Sequence, residues 1–269
     1  MDVPSGGALW LMPAAGPAGT GVKLLTINPA NPEAGLPFIH GAYALFAPGS
    51  LALEAVIEGG ALTGLRTAAV SGLATRYLAR NDAHKLVIFG AGVQAHTHLD
   101  AMVSVRDIDS VRIVSRSPEP VERLVARARE LGMDAAPGTP GDVADADIIC
   151  TCTTNEAPVF DGKLLAAGAH VNAIGAYQPH TREVDDATVR RSRIVVETRA
   201  AALAEAGDLI IPISSGVLPE SRIVTDLAGL VAGAEVRRSD ADITLFKSVG
   251  IAVEDLAVAR AAVDVSRGS

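Results

Sequence analysis

The chain has 269 residues, 49% of them hydrophobic and only 3% aromatic. Its core must therefore be built from Ala, Val, Leu and Ile, which suits helices packed on a parallel sheet better than an aromatic-rich sandwich. Asp and Glu number 31 against 23 Lys and Arg, a formal charge of −8 that repels nucleic acid and anionic membrane and argues against both as partners.

The first 20 residues are rich in Gly, Pro and Ala around one apolar patch, Ala8–Met12, which has the composition of a strand. Gly21–Ile27 reads as a strand carrying a single cation, Lys23, and is followed by the turn cluster Asn28-Pro29-Ala30-Asn31-Pro32. Ala42–Phe46 and Leu51–Ile57, joined by Ala47-Pro48-Gly49-Ser50, form an expected hairpin. From Leu62 to Arg80 the period changes: Leu62, Leu65, Ala69, Leu73 and Leu78 recur at helical spacing. This helix carries Arg66 and Thr67 and is expected to bridge two domains.

Leu86–Phe89 is a short apolar run suited to a strand buried on both faces. Gly90, Gly92 and Ala95 follow it in the G-x-G-x-x-A spacing of a dinucleotide fingerprint. Gly90 permits a tight turn. Gly92 lets the main chain approach a pyrophosphate, and Ala95 is small enough for close helix–strand packing. From Val93 the pattern is helical, so the first free amides of that helix would face phosphates. The strand before and the helix after give the glycines the context that makes the motif informative.

Strand and helix then alternate. Val111–Val114 is the next strand, Val121–Leu131 a helix, and Ala146–Cys152 and Ala169–Ile174 are strands. Asp185–Arg191 is a short helix, Arg193–Glu197 a strand and Leu227–Val231 a short helix. This alternation predicts an α/β fold with a Rossmann-type, doubly wound parallel sheet, alongside a smaller α/β domain. Ile243–Val265 begins Thr-Leu-Phe-Lys-Ser-Val-Gly at 244–250 and continues as an Ala-rich helix expected to return to the smaller domain. The expected division is thus 1–81 with 241–269 for substrate binding and dimerisation, and 82–240 for the dinucleotide.

The end of the strand at Val114 bears on cofactor choice. An NAD enzyme usually places a carboxylate there, roughly 20 residues beyond the glycines, to accept the ribose hydroxyls. Here the residues are Ser115-Arg116-Ser117. A guanidinium flanked by hydroxyls suits a 2′-phosphate, so NADPH is expected as cofactor, with NADH possible.

Two cations in the first part stand out. Lys23 sits in an apolar strand, where a lysine is costly unless it faces a polar cleft, and it is a candidate to hold a carboxylate or give a proton. Arg66 offers a fork that fits a carboxylate. His96 and His98, two apart on a helix, point to different faces, so no metal site is assigned. Cys150 and Cys152, two apart on a strand, are poorly placed for a mutual disulfide and read as small hydrophobes in a reducing compartment. No charged-then-apolar leader and no bilayer-length apolar run is seen, so a cytoplasmic location is expected.

Six segments occur in order: Gly21-Val22-Lys23, Arg66-Thr67-Ala68-Ala69-Val70-Ser71, Gly90-Ala91-Gly92-Val93-Gln94-Ala95, Asn172-Ala173-Ile174-Gly175, Arg182-Glu183-Val184-Asp185 and Phe246-Lys247-Ser248-Val249-Gly250. Together they resemble the ornithine cyclodeaminase/μ-crystallin family over nearly the whole chain. The resemblance implies a Rossmann domain plus a smaller domain that dimerises, hence a homodimer. It implies that Lys23 and Arg66 hold a substrate carboxylate, with Lys23 beside the reacting carbon, and that Gly250 contributes to that site. Thr67 would touch the cofactor phosphate or ribose, and Ala91, Val93 and Gln94 would line the pyrophosphate beside Gly90 and Gly92 of the fingerprint. Ser115, Arg116 and Ser117 would hold the 2′-phosphate. Thr153 and Ile174 would pack near the adenine and nicotinamide portions, and Ser248 would close the nicotinamide side.

Two departures refine this. Cyclodeaminases place an acid–base Asp where this chain has Tyr177, so the ketimine-reductase branch fits better than deamination of ornithine. Relatives also carry an N-terminal stretch with another substrate-binding Arg, and this chain begins after it. The expected reaction is NADPH-dependent reduction of Δ1-pyrroline-2-carboxylate or Δ1-piperideine-2-carboxylate to L-proline or L-pipecolate. Ornithine cyclodeaminase and a crystallin-like NADPH-dependent small-molecule binder are the alternatives.

Overall fold

The structure, a computed structural model, describes residues 1, 3 and 6–268. It divides into two compact units, Met1–Thr67 with Ile251–Ser269, and Ala68–Gly250.

In the first unit, β1 (Ala8–Gly16), β2 (Gly19–Ile27), β3 (Ile39–Phe46) and β4 (Leu53–Glu58) form an antiparallel sheet in sequence order. Along β2 the buried residues are Gly21, Lys23, Leu25 and Ile27, a period of two that puts Lys23 in the inward-facing series. The C-terminal helix, Ala252–Ser266, supplies Leu256, Ala259 and Val263 to the core that Tyr43 and Leu45 of β3 enter from the sheet. These helix positions are four apart or nearly so, which gathers them on one face.

Helix α1 (Gly59–Leu78) starts three residues before the apolar periodicity does, because Glu58 accepts hydrogen bonds from the Gly60 and Ala61 amides and caps it. The division between units falls inside this helix, between Thr67 and Ala68, whereas the sequence reading set it after residue 81. The physical reason is that α1 serves two cores: Leu62 joins the first-unit cluster, while Val70, Ala74 and Leu78 join a second-unit cluster with Val195, Leu230 and Phe246.

The second unit is an eight-stranded parallel sheet. In chain order its elements are β5 (Lys85–Phe89), α2 (Val93–Val105), β6 (Ser110–Val114), α3 (Pro118–Glu130), β7 (Asp134–Pro137), β8 (Ile148–Thr151) and β9 (His170–Ala173), then α4 (Asp186–Arg191), β10 (Ser192–Val196), α5 (Arg199–Glu205), α6 (Gly207–Ser214), β11 (Ile223–Asp226), α7 (Leu227–Val231) and β12 (Ile243–Lys247). The spatial order is β11-β10-β12-β9-β8-β5-β6-β7. Leu86 and Ile88 enter the core under α2 and α3, while Val87 and Phe89 enter the core on the opposite face, as an apolar run without alternation requires.

Residues 243–247 were assigned to the smaller domain, but β12 lies in the parallel sheet between β9 and β10, with all five residues buried. The buried polar residues of β12 find partners there, Thr244 Oγ1 donating to Leu78 O and Lys247 pairing with Asp208, and only the helix after Gly250 belongs to the first unit. Residues 134–137 and 223–226 carried no strand expectation, yet both form strands, β7 and β11, at the two edges of the sheet. Short edge strands bury one face only and leave little hydrophobic signature.

From β5 the sheet grows one way through β6 and β7 and the other way through β8. The strand order therefore reverses between β5 and β8, where Phe89 and Thr151 end side by side. A crevice outside the carboxyl ends of strands at such a reversal is where doubly wound sheets take ligands.

Candidate active site

At that reversal, Gly90 adopts φ +100°, and a Cβ there would lie 2.4 Å from the Cys152 carbonyl oxygen, so only glycine fits. Gly90 N–H donates to Val114 O at 2.8 Å, tying the loop to the end of β6. Gly92 differs: a Cβ there would meet nothing within 4 Å, which leaves room for a ligand against the main chain. Gly92 is also the N-cap of α2 and offers no side-chain cap, so no capping side chain stands between the start of the helix and an anion. Ala91 is buried, whereas Val93 and Gln94 begin the helix at its exposed and half-buried positions. Ser115, Arg116 and Ser117 are all exposed where β6 ends. Ser117 is the N-cap of α3 but makes no capping hydrogen bond with its side chain, so its hydroxyl remains available to a ligand. This geometry fits a dinucleotide phosphate site.

Two buried carboxylates shape the neighbouring strand ends. Glu183 accepts hydrogen bonds from Thr151 Oγ1 at 2.7 Å, Thr153 N at 2.8 Å, Thr153 Oγ1 at 2.7 Å, Gly175 N at 2.6 Å and Ala176 N at 3.3 Å. It thereby locks the segments that leave β8 and β9, and it commits the Thr153 hydroxyl. Ile174 is buried between them and donates from N–H to Thr151 O. Glu197, at the end of β10, accepts from Ser248 Oγ, from Val249 N at 3.0 Å and from Gly250 N at 2.7 Å. That fixes the loop after β12, with Gly250 at φ +88°. The Cys152 thiol is pushed well up by burial, so it is an inert hydrophobe rather than a nucleophile.

His98 and His96 do separate, as helical spacing requires. His98 is buried, with Nδ1 2.7 Å from Gln94 O and Nε2 2.9 Å from Ser71 Oγ, while His96 is only half-buried. A carbonyl can only accept, so Nδ1 carries the proton and the Ser71 hydroxyl donates to Nε2.

In the first unit, Lys23 and Arg66 come together on one carboxylate. Lys23 Nζ lies 2.8 Å from Asp255 Oδ1, and Arg66 Nε lies 3.3 Å from the same oxygen. Arg66 Nη1 reaches Glu254 Oε2 at 3.2 Å. Lys23 and Asp255 are both fully buried. Burial and the nearby Arg66 push the Lys23 ammonium below its ordinary pKa, against the pull of Asp255. Tyr43 faces Lys23 across the β2–β3 ladder, and its ring occupies the space a Cβ on Gly21 would need, 2.2 Å from the hydroxyl. That explains the glycine two residues before the lysine. Burial, helped by Asp255, raises the Tyr43 phenol to about 12, so it stays a neutral hydroxyl. Thr67, the next residue after Arg66, gives its hydroxyl proton to Thr63 O at 2.8 Å.

Sequence reading missed Tyr43, Glu254, Asp255, Glu183 and Glu197. One signal was there: Asp255 is spaced with Ala259 and Val263 at i, i+4 and i+8, which puts a carboxylate on the buried stripe of the helix.

The model of the ornithine cyclodeaminase/mu-crystallin family matches residues 3–269. The Δ1-pyrroline-2-carboxylate reductase of Bacillus cereus is 39% identical over 252 residues, covering 92% of this chain and 77% of that protein. The ketimine reductase mu-crystallin of Mus musculus is 34% identical over 260 residues, covering 96% and 80%. Among solved structures, Thermococcus litoralis Δ1-pyrroline-2-carboxylate reductase in complex with NADH and L-proline superposes with a TM-score of 0.92 at 35% identity, covering all of this chain and 86% of that one.

Proposed function

The chain belongs to the ornithine cyclodeaminase/mu-crystallin family, and we propose that it reduces the cyclic ketimine Δ1-pyrroline-2-carboxylate to L-proline, with Δ1-piperideine-2-carboxylate as the six-membered counterpart giving L-pipecolate. It is an oxidoreductase acting on a C=N bond with a nicotinamide dinucleotide. The observation that carries the substrate reading is the buried meeting of Lys23 and Arg66 on Asp255. Asp255 and Glu254 balance the two cations, and Arg66 keeps Nη2 outside both of its ion pairs as a donor for a small carboxylate.

The dinucleotide, held by the loop of Gly90, Ala91 and Gly92, the first turn of α2 at Val93 and Gln94, and the end of β6, supplies a hydride when bound. The chain's own part is to hold and polarise the imine. Arg66 and Lys23 fix its carboxylate. Lys23 Nζ gives the ring nitrogen a proton, which makes the C=N carbon a better acceptor. The carbon gains the hydride, the nitrogen keeps the proton, and the product is the secondary amine. Tyr177, where cyclodeaminases carry an acid–base Asp, has no carboxylate to remove ammonia, which supports reduction over deamination.

We read the cofactor as NADPH, with NADH as a weaker substitute, from Ser115, Arg116 and Ser117 standing exposed where a ribose-binding carboxylate would otherwise be. We read the molecule as a homodimer through the outer face of the antiparallel sheet, where Leu11 and Leu24 pair across β1–β2 and Val56 is 67% exposed. A steady-state assay tests the activity. Each ketimine is expected to drive oxidation of reduced cofactor, and a flat trace with both, with either cofactor, overturns the proposal.

A further inference from the structure

The charges of the first-unit cluster do not stop at a carboxylate clamp. Lys23 and Arg66 are balanced by Asp255 and Glu254, with Tyr43 alongside, so the group is formally neutral rather than positive. Asp255 divides its two oxygens unequally. Oδ1 serves both cations, while Oδ2 is buried and has no hydrogen-bond partner among the described residues. A buried carboxylate oxygen without a donor is expensive, so a ligand that placed a donor there would recover that cost.

A reducible cyclic ketimine has the complementary pattern. In its hydride-accepting form it is a zwitterion, with a ring N–H⁺ one bond from the carbon that bears the carboxylate. A purely cationic site would bind the acid group and repel the ring nitrogen. A site with cations and a spare carboxylate oxygen matches both charges.

We propose that Asp255 reads the substrate's nitrogen, its Oδ2 accepting the ring N–H while Oδ1 keeps Lys23 and Arg66 in place for the carboxylate. This rests on the ketimine reading above and adds to it a residue that selects for a ring N–H donor. The class of ligand selected is a five- or six-membered ring with an N–H adjacent to a carboxylate-bearing carbon. An isosteric ring with an acceptor at that position is rejected, because two lone pairs would face each other.

Two flat acids of nearly one shape separate the outcomes: pyrrole-2-carboxylate, whose ring carries N–H, and furan-2-carboxylate, whose ring carries an oxygen. Calorimetry on the cofactor-loaded protein is expected to give at least about tenfold tighter binding of the pyrrole acid. Asp255→Asn, whose amide can donate to the furan oxygen, is expected to erase or reverse that ratio. Equal affinities in the unaltered protein overturn the inference while leaving the ketimine reading in place, since both acids would still be held by the carboxylate. A ratio that survives Asp255→Asn also overturns it. Binding of neither acid overturns the ketimine reading and this inference together. The comparison in the unaltered protein decides even where the variant fails to fold.

Discussion

The α-carbon of Gly90 stands so close to the main chain of Cys152 that a Cβ would lie 2.4 Å from its carbonyl oxygen, at a φ of +100°. Gly92, two residues on, would carry a Cβ into open space. The fold therefore requires the first glycine, whereas the second answers to no contact within the chain, and we propose that it answers to the ligand. Gly90→Ala is expected to cost about 2 kcal/mol or more of stability, from clash and backbone strain together. Gly92→Ala is expected to melt close to the parent protein yet bind dinucleotide at least about tenfold more weakly. Thermal melts beside cofactor titrations check both, and full affinity in Gly92→Ala would move the pyrophosphate away from this loop.

Arg116 is exposed at the end of β6, and its neighbour Ser117 caps α3 without using its hydroxyl. Arg116→Ala should lower affinity for NADPH by about tenfold to a hundredfold, the loss of a charge-assisted pair, and barely alter NADH. Comparing the two dissociation constants is sufficient. An equal loss for both cofactors would mean that the guanidinium does not read the extra phosphate.

Glu183 is fully buried and takes five hydrogen bonds, one from the last residue of β8 and four from the segments after β8 and β9. An amide in its place would offer one acceptor oxygen and turn an NH₂ toward donors. Glu183→Gln is expected to destabilise by about 3 kcal/mol, seen as a lower urea midpoint, with faster amide exchange at Gly175 and Ala176. An unchanged midpoint would show that the ladder of donors is satisfied another way.

Burial holds the His98 imidazole down to about 4 and that of His170 to about 3, against 6.5 as the ordinary value. Between those values the unfolded chain binds more protons than the folded one. Stability is then complete above pH 6.5 and falls as the pH drops toward 4, with His98 alone accounting for about 3 kcal/mol. Melting curves across that range should show the slope, and His98→Gln should flatten it. A slope unaltered by the substitution would assign the acid sensitivity elsewhere.

The exposed apolar side chains of Leu11, Leu24 and Val56 lie on the antiparallel sheet, and their substitution leaves its core untouched. Val56→Glu is expected to turn the dimer we propose into monomer, by placing a charge in a desolvated contact. Sedimentation of the unaltered protein as a monomer would instead remove this face as the contact.

Much of the fold could be read from the chain alone because its local patterns are strong. The doubly covered strand Leu86–Phe89, the glycine spacing after it and the helical period of α1 each rest on short-range sterics or periodic burial. Lys23 was visible because a cation in an apolar strand is costly unless it faces a polar cleft, and Arg66 because its fork fits a carboxylate. What receives them could not be read, since Asp255 lies 232 residues from Lys23 in sequence. No local rule couples residues so far apart. The same holds for β12, whose place between β9 and β10 is a matter of which strand edges remain open to pair. Sequence periodicity thus determined which residues turn inward, because that depends on the geometry of a single helix or strand. Which inward residues meet was decided only by the packing of elements distant in the chain, where buried charges are tolerated only in the company of their opposites.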